Sequence, residues 1–252
     1  MIGKFFWYEL MTKDVSAAED FYKKVVGWNS EPFQGAGMPY IVVKAGDRGV
    51  GGIMALPEEA AKMGMPPAWL GYIHTDDVDA RTRSIREAGG AVHREPSDIP
   101  GVGRFSVVAD PQGGVFMLLQ PTGPDQPPAP PMTPGHIGWN EYMADDWEQA
   151  FAFYSKQFGW TKDQSVDMGE MGTYQLIAAG GEPMGGMMNR PPHVPVNWGF
   201  YFIVEGIDAA AKRATDNGGK TIMGPMEVPG GQWVVNCVDP QGAHFSLLSN
   251  TK

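Results

Sequence analysis

Two short stretches, "WYELMTKD" and "WNEYMADD", each place a glutamate inside a segment that is typical of a β-strand: Glu9 in the first and Glu141 in the second. A carboxylate on an otherwise apolar strand needs a partner, because unpaired burial is costly or raises its pKa. A glutamate beside a histidine in an aromatic pocket could act as a general acid–base pair or hold a small polar ligand. The sequence must therefore bring a histidine or another polar group to each glutamate.

Alternation of side chains along strands selects the partners. The candidate catalytic residues are Glu9 with His74, and Glu141 with His244. Tyr72 shares a face with His74, and Tyr201 holds the corresponding position later in the chain. A structural role is an equal alternative for the glutamates, and a single histidine on a strand is more often structural than catalytic. Packing is the favoured interpretation of the two tyrosines.

The glutamates recur because the chain is a duplication. At an offset of 132 residues Trp7 corresponds to Trp139, and "FY" and "GW" pairs recur at the same spacing. Later, "DPQG" at Asp110 recurs at Asp239, so the offset there is 129. The run "PTGPDQPPAPPMTP" separates the copies, and proline makes such a segment extended. We expect one domain over residues 1–121, a linker over 122–134 and a second domain over 135–252.

Each half alternates strands with amphipathic helices. Asp14 is a suitable N-cap, and apolar residues then recur at helical spacing until Gly27. The same pattern follows Asp146 and ends at Gly159. Further strands are predicted in the first half over 4–11, 40–45, 49–56, 68–75, 91–95, 104–109 and 115–120, with a second helix near 78–88. Each half thus contains two βαβ-type modules, the first with two or three strands after its helix.

Composition limits the possible partners. The chain has 252 residues, 42% hydrophobic and 19% charged, with a formal net charge of −10 and a pI near 4.9. Nucleic acid and anionic membranes are disfavoured, because phosphate binding requires clustered Lys and Arg. A single cysteine, Cys237, cannot form an intrachain disulfide. No secretion signal or long apolar segment is seen, so we expect a cytoplasmic protein that is a monomer or a homodimer.

The order of strand, "FY…GW" helix, second strand–helix module and "DPQG…F.LL" hairpin resembles the vicinal-oxygen-chelate superfamily. This group includes glyoxalase I, bleomycin-resistance proteins and extradiol dioxygenases, and the resemblance covers the chain once per half. It implies an α+β fold, a tandem pair of glyoxalase-like domains, each built from two βαβββ modules that curl into a cup. Among these proteins the chain looks most like the two-domain glyoxalase-like members.

The resemblance also implies where relatives hold a metal inside the cup. The corresponding positions are Trp7, Gly52 or Ile53, Leu70 and Met117 in the first half, and Trp139, Gly186 or Met187, Gly199 and Ser246 in the second. None of these side chains is a good ligand for a divalent cation, which prefers imidazole and carboxylate. We therefore predict that no metal is bound at the family position and that no cofactor is needed.

Three functional hypotheses follow. The first is binding of a small hydrophobic or aromatic molecule in a cup lined by tryptophan and methionine. Its contact residues would be Trp7, Tyr72, Met117, Trp139, Tyr201 and Ser246. The second is a lyase, isomerase or dioxygenase reaction that uses Zn, Ni, Mn or Fe held by the Glu/His pairs. The third is a scaffold or dimerisation module.

Overall fold

The computed structural model describes residues 2–34, 39–124 and 126–252 of the chain. Asp125, which belongs to the predicted linker, lies outside the described residues. Within the described part, no helix is long and apolar enough to cross a membrane.

The described residues of the first half form eight strands and three helices. They are β1 (Phe5–Thr12), α1 (Val15–Val26), β2 (Asn29–Pro32), β3 (Tyr40–Ala45), β4 (Arg48–Ala55), α2 (Glu58–Lys62), β5 (Ala68–His74), α3 (Val78–Glu87), β6 (Ala91–Ile99), β7 (Gly103–Ala109) and β8 (Val115–Pro121).

The second half repeats the order of the strands and of the two longer helices, has no counterpart of α2 among its described residues, and adds one short 3₁₀ turn. Its elements are β9 (Ile137–Ala144), α4 (Trp147–Phe158), β10 (Thr161–Asp167), the 3₁₀ turn Gly169–Met171, β11 (Thr173–Ala179), β12 (Glu182–Asn189), β13 (Asn197–Ile203), α5 (Ile207–Asp216), β14 (Lys220–Val228), β15 (Gln232–Val238) and β16 (His244–Ser249).

The strands form two eight-stranded sheets of identical order. The first sheet runs β2-β3-β4-β1-β5-β8-β7-β6, and the second runs β10-β11-β12-β9-β13-β16-β15-β14. Within each module the first strand pairs in parallel with the last, and the others pair antiparallel. The predicted α+β architecture, with two βαβββ modules in each half, is confirmed.

The helix ends follow the predicted capping residues. The Asp14 side chain accepts a hydrogen bond from the backbone N–H of Ala17 at 3.0 Å, which satisfies one free donor of the first turn. Gly27 ends α1 with φ +88° and Gly159 ends α4 with φ +71°, in the left-handed region that favours glycine. These local signals fix where both helices begin and end.

Three elements, β2, β10 and α2, depart from the sequence prediction. The first module of each half is predicted with two or three strands after its helix. The optional strand is present in both halves, directly after the helix, as β2 and β10. Both are edge strands with mostly exposed, polar side chains, so they lack the alternating apolar pattern of a half-buried strand. The five-residue helix α2, which has no buried residue, was not predicted for the same reason.

The chain forms two compact units, and each combines parts of both halves. Unit 1 contains residues 1–6, 70–126 and 139–199, and unit 2 contains residues 7–69, 127–138 and 200–252. Unit 1 thus joins the second module of the first half with the first module of the second half. Unit 2 joins the two outer modules of the chain. The domain boundaries expected from the duplication remain a proposal.

Each unit has an aromatic core around one tryptophan that follows a helix. In unit 2, Trp28 is 3% exposed and packs against Tyr22, Trp69 and Phe202. In unit 1, Trp160 is 1% exposed, stacks on Tyr154 and meets Trp198 edge-on. The indole N–H groups of Trp28 and Trp160 donate to the carbonyls of Gly135 and Gly3, each at 2.6 Å. These tryptophans are core residues.

Candidate functional site

A tryptophan, a tyrosine and a glutamate are linked by hydrogen bonds in the first half; we call Trp7, Tyr40 and Glu9 the first-half cluster. The indole Nε1–H of Trp7 donates to the Tyr40 hydroxyl at 2.9 Å. Burial, together with the Glu9 carboxylate to which the Tyr40 hydroxyl is hydrogen-bonded, raises the pKa of Tyr40 well above its usual value. Glu9 itself is only 4% exposed. The tyrosine therefore stays protonated and donates to the carboxylate.

The second half contains the same arrangement; Trp139, Tyr174 and Glu141 form the second-half cluster. Trp139 Nε1–H donates to the Tyr174 hydroxyl at 2.7 Å, and that hydroxyl donates to Glu141 Oε1 at 2.9 Å. A hydrogen bond to a carboxylate is about twice as strong as one between neutral groups. The relay of donors thus stabilises Glu141 as an anion and as a hydrogen-bond acceptor.

Glycines make room for both clusters. Glu9 lies beside Gly52 in the β1–β4 register, and Glu141 lies beside Gly186 in the β9–β12 register. A Cβ atom at Gly52 would lie 1.9 Å from the Tyr40 hydroxyl oxygen, and one at Gly186 would lie 2.2 Å from Cε1 of Tyr174. A side chain at either glycine would therefore displace the tyrosine.

Tyr40 and Tyr174 are not among the site residues that the sequence predicts. Tyr40 is the first residue of β3, and Tyr174 is the second residue of β11. Each side chain passes over a glycine of the neighbouring strand, Gly52 or Gly186, and reaches a glutamate. The signal was available in the sequence, because both halves carry a tyrosine there and a paired glycine in "GGIM" and "MGGMM". What the sequence could not supply is the direction in which the ring points.

A second repeated arrangement explains the "FY" and "DPQG" motifs. In unit 2, Trp69 Nε1–H donates to the Tyr22 hydroxyl at 2.9 Å, and that hydroxyl donates to Asp239 Oδ2 at 3.2 Å. The other oxygen of Asp239 accepts from the backbone N–H groups of Gln241 and Ala243 at 2.8 and 2.9 Å. Burial and the nearby Asp239 raise the pKa of Tyr22 well above its usual value. We call this the Asp–Tyr–Trp brace of unit 2.

Unit 1 has the matching brace with one additional donor. Trp198 Nε1–H donates to the Tyr154 hydroxyl at 2.9 Å. Burial of Tyr154, and secondly the negative charge of Asp110, raise the pKa of Tyr154 well above its usual value. The Tyr142 hydroxyl donates to Asp110 Oδ2. In both braces the tyrosine and the aspartate come from different halves, so the braces hold modules together. Their residues are buried, and the braces have a structural role.

The remaining predicted residues lie at separate places. His74 is 9% exposed and meets Phe6 edge-on, with 5.3 Å between ring centroids. His244 is exposed at the first position of β16. The predicted pairings of Glu9 with His74 and of Glu141 with His244 join residues of different compact units. These pairings stay predictions.

Strand register places the other predicted contact residues in pairs. Tyr72 lies beside the fully buried Met117 on β5 and β8, and Tyr201 lies beside Ser246 on β13 and β16. The Ser246 hydroxyl donates to Asn236 Oδ1 at 3.4 Å. A thioether in one half thus corresponds to a hydroxyl in the other. Their roles as ligand contacts stay predictions.

The positions at which the resemblance implies metal ligands include two indoles, Trp7 and Trp139, and two glycines, Gly52 and Gly186. An indole N–H at Trp7 or Trp139 has no lone pair to offer, and Gly52 and Gly186 have no donor atom. The tyrosine rings fill the space over both glycines. Among the residues that the structure describes, no group of three or more His, Cys, Asp or Glu side chains could hold a metal ion.

Comparison with known proteins agrees with this architecture. The family model described as "Glyoxalase/Bleomycin resistance protein/Dioxygenase superfamily" matches twice, over residues 4–118 and 133–247. The chain is 37% identical over 246 residues to "Putative glyoxylase CFP32" of Mycobacterium bovis, covering 96% of this chain and 93% of that protein. It is 30% identical over 263 residues to "Anthracycline biosynthesis protein DauV" of a Streptomyces species, covering 96% and 91% respectively.

A solved structure shows the same fold. The Mn(II)-bound glyoxalase from Novosphingobium aromaticivorans superposes with a TM-score of 0.66 at 18% identity, over 100% of this chain and 83% of that one. Two matches to one family model, together with relatives of almost equal length, confirm the resemblance inferred from the "FY…GW" and "DPQG" motifs. The chain belongs to the glyoxalase/bleomycin resistance protein/dioxygenase superfamily, with two such domains in tandem.

Proposed function

We propose that this protein binds a small, largely apolar organic molecule and does so without a metal at the position that its relatives use. The observation that carries the proposal is the pair of Trp–Tyr–Glu clusters. In each cluster an indole, a phenol and a carboxylate are joined by hydrogen bonds, and the indole belongs to a residue for which the resemblance implies a metal ligand.

The chemistry of the clusters supports binding of an organic molecule. Tryptophan and tyrosine offer flat apolar surface together with a polar edge. Small-molecule sites typically combine such surface with a few placed polar groups that orient the ligand. In each cluster the glutamate supplies that polar group, and its tyrosine partner holds it in a fixed position. Methionines on the same strands, Met11 and Met143, add adaptable apolar surface.

The relatives are consistent with a small-molecule role. One is named for anthracycline biosynthesis and another as a glyoxylase, so both names refer to small organic compounds. Family membership alone does not choose between binding and catalysis, because one fold hosts many functions. Binding without a metal is favoured because each glutamate accepts a hydrogen bond from a tyrosine that in turn accepts from a tryptophan.

Metal analysis and ligand titration together test the proposal. Protein purified without chelator and without a nickel column is analysed for Zn, Ni, Mn and Fe by mass spectrometry. The expected content is far below one metal per chain, and aromatic compounds should quench tryptophan fluorescence. Trp139→Phe should reduce that quenching while circular dichroism stays unchanged. A near-stoichiometric metal that is lost with Glu9→Gln or Glu141→Gln would contradict the proposal.

That contradicting result would favour the second candidate, a metal-dependent glyoxalase-like lyase, isomerase or dioxygenase. The observation in its favour is the 37% identity to a protein named as a glyoxylase. Under this candidate, activity should depend on an added divalent metal and disappear with chelator. If neither a metal nor any aromatic ligand binds, a scaffold function is favoured instead.

A further inference from the structure

The two Trp–Tyr–Glu clusters differ in their access to solvent. Glu9 is 4% exposed, whereas Glu141 is partly exposed. The difference extends along the strands: Ile137, Trp139, Glu141 and Met143 all lie on one face of β9 and are all partly exposed. On β1 only Trp7 of the four matching residues is partly exposed, and the others are buried.

The second-half cluster also has space beside it. Gly199 on β13 corresponds to Leu70 on β5. Each lies two residues before a tyrosine of equivalent register, because Tyr72 pairs with Met117 and Tyr201 pairs with Ser246. A Cβ atom at Gly199 would meet only the Glu141 carbonyl oxygen, at 3.8 Å, which is an ordinary contact. Gly199 is itself partly exposed, whereas Leu70 is buried. A Cβ atom at Gly199 would therefore find room beside the backbone of Glu141.

We propose that the second-half cluster is the ligand site and that its Glu141 carboxylate binds the ammonium group of a small aromatic amine. This inference rests on the proposed function and names its ligand class. The aromatic part of the ligand covers Gly199. The first-half cluster, in which the glutamate is buried, serves as the structural copy.

Three features select a cation over an anion or a neutral molecule. Glu141 is the acidic side chain of the cluster and accepts from Tyr174, and a carboxylate attracts an ammonium group. The faces of Trp139 and Tyr174 attract a cation through their π-electrons. The chain carries a formal net charge of −10, which raises the local concentration of cations and repels carboxylate ligands.

The test compares ligands of equal shape and different charge. Benzylammonium and naphthylmethylammonium are titrated against the full-length protein by calorimetry, with benzyl alcohol and benzoate as matched neutral and anionic probes. The expected order of affinity is ammonium over alcohol, with no binding of benzoate. Glu141→Gln should weaken ammonium binding about 10- to 100-fold, as expected for a charged hydrogen bond, and leave the alcohol nearly unchanged.

A second variant leaves the carboxylate in place. Gly199→Leu introduces the side chain found at position 70 and should weaken both ammonium and alcohol at least about 10-fold, because it fills the space. Circular dichroism checks that each variant is folded. Glu9→Gln is the matched change in the first-half cluster. A loss of affinity with Glu9→Gln and not with Glu141→Gln would assign the site to the first half and overturn the inference.

The outcomes separate this inference from the proposed function. Tight binding of the alcohol probe with no preference for the ammonium would overturn the amine assignment and leave small-molecule binding intact. Binding of no probe, together with a near-stoichiometric metal, would overturn both.

Discussion

Tyr22 is the residue on which the brace of unit 2 depends, and Tyr22→Phe removes a single oxygen from it. The hydroxyl donates to Asp239 Oδ2 at 3.2 Å and accepts from Trp69 Nε1 at 2.9 Å. Tyr22 is fully buried, and Trp69 and Asp239 are 5% and 4% exposed. Phenylalanine fills nearly the same volume, so the change tests hydrogen bonding rather than packing.

The cost has two parts. A buried hydrogen bond to a charged group contributes about 1.5–3 kcal/mol, and a buried donor without a partner costs about 1–3 kcal/mol. The variant loses the hydrogen bond to the Asp239 carboxylate, and it leaves the indole N–H of Trp69 as a buried donor without an acceptor. We expect the free energy of unfolding to fall by about 3–4 kcal/mol. For a chain of this length that corresponds to a decrease in Tm of roughly 10 °C.

Tyr154→Phe in the brace of unit 1 is the matched control. It also leaves an indole donor, that of Trp198, without its acceptor. Asp110 Oδ2, however, keeps the hydrogen bond from Tyr142, and the counterpart of Tyr142 in the first half is Leu10. We therefore expect a smaller loss of about 1–2 kcal/mol.

Urea unfolding followed by circular dichroism measures both variants against the parent protein. The expected order is a large loss for Tyr22→Phe and a smaller loss for Tyr154→Phe. A loss below about 1 kcal/mol for Tyr22→Phe, or equal losses for the two variants, would refute the reasoning, since the hydroxyl would then not supply the Asp239 contact.

Three further predictions use other parts of the chain. Gly52→Ala places a Cβ 1.9 Å from the Tyr40 hydroxyl oxygen, so the tyrosine must move. We expect loss of the Trp7–Tyr40 contact, seen in near-UV circular dichroism, and a decrease of about 2 kcal/mol in the free energy of unfolding, measured in urea. Gly199→Ala is its control, because that Cβ meets only an atom 3.8 Å away, and equal losses would contradict the prediction. Burial raises the pKa of the Cys237 thiol from 9.0 to about 11, so iodoacetamide should modify native protein slowly at pH 8 and urea-unfolded protein quickly. Because only the unfolded thiol ionises between those two values, stability should fall as pH rises from about 9 to 11, and a serine variant should lose that slope. Gly27→Ala puts a methyl group at a residue with φ +88° and no atom of a non-neighbouring residue within 4 Å, so its cost is backbone strain alone. We expect the free energy of unfolding in urea to fall by about 1 kcal/mol, and no change would show that the helix end relaxes.

Much of the fold is encoded in local patterns. Asp14 and Gly27 mark the ends of α1 because their side chain and backbone act within a few residues. The edge strands β2 and β10 were only optional predictions, because polar, exposed residues carry no periodic signal and are held by pairing with their neighbours. Glu9 and Glu141 were identified from the repeat itself, but their tyrosine partners were not. A ring that crosses to a neighbouring strand depends on register and on the glycine beneath it, neither of which is local.

The sequence by itself determined the duplication, the order of the longer helices and the half-buried strands, and the family, because these follow from spacing along one chain. It also placed a glutamate and a tryptophan on the first strand of each half. Only the tertiary structure decided that Tyr22 meets Asp239, 217 residues away, and that each compact unit joins modules from different halves. It also decided that Gly199 leaves space beside Glu141. Such pairings depend on the total apolar surface buried between modules and on completing every buried hydrogen bond, and these quantities exist only once the chain is folded.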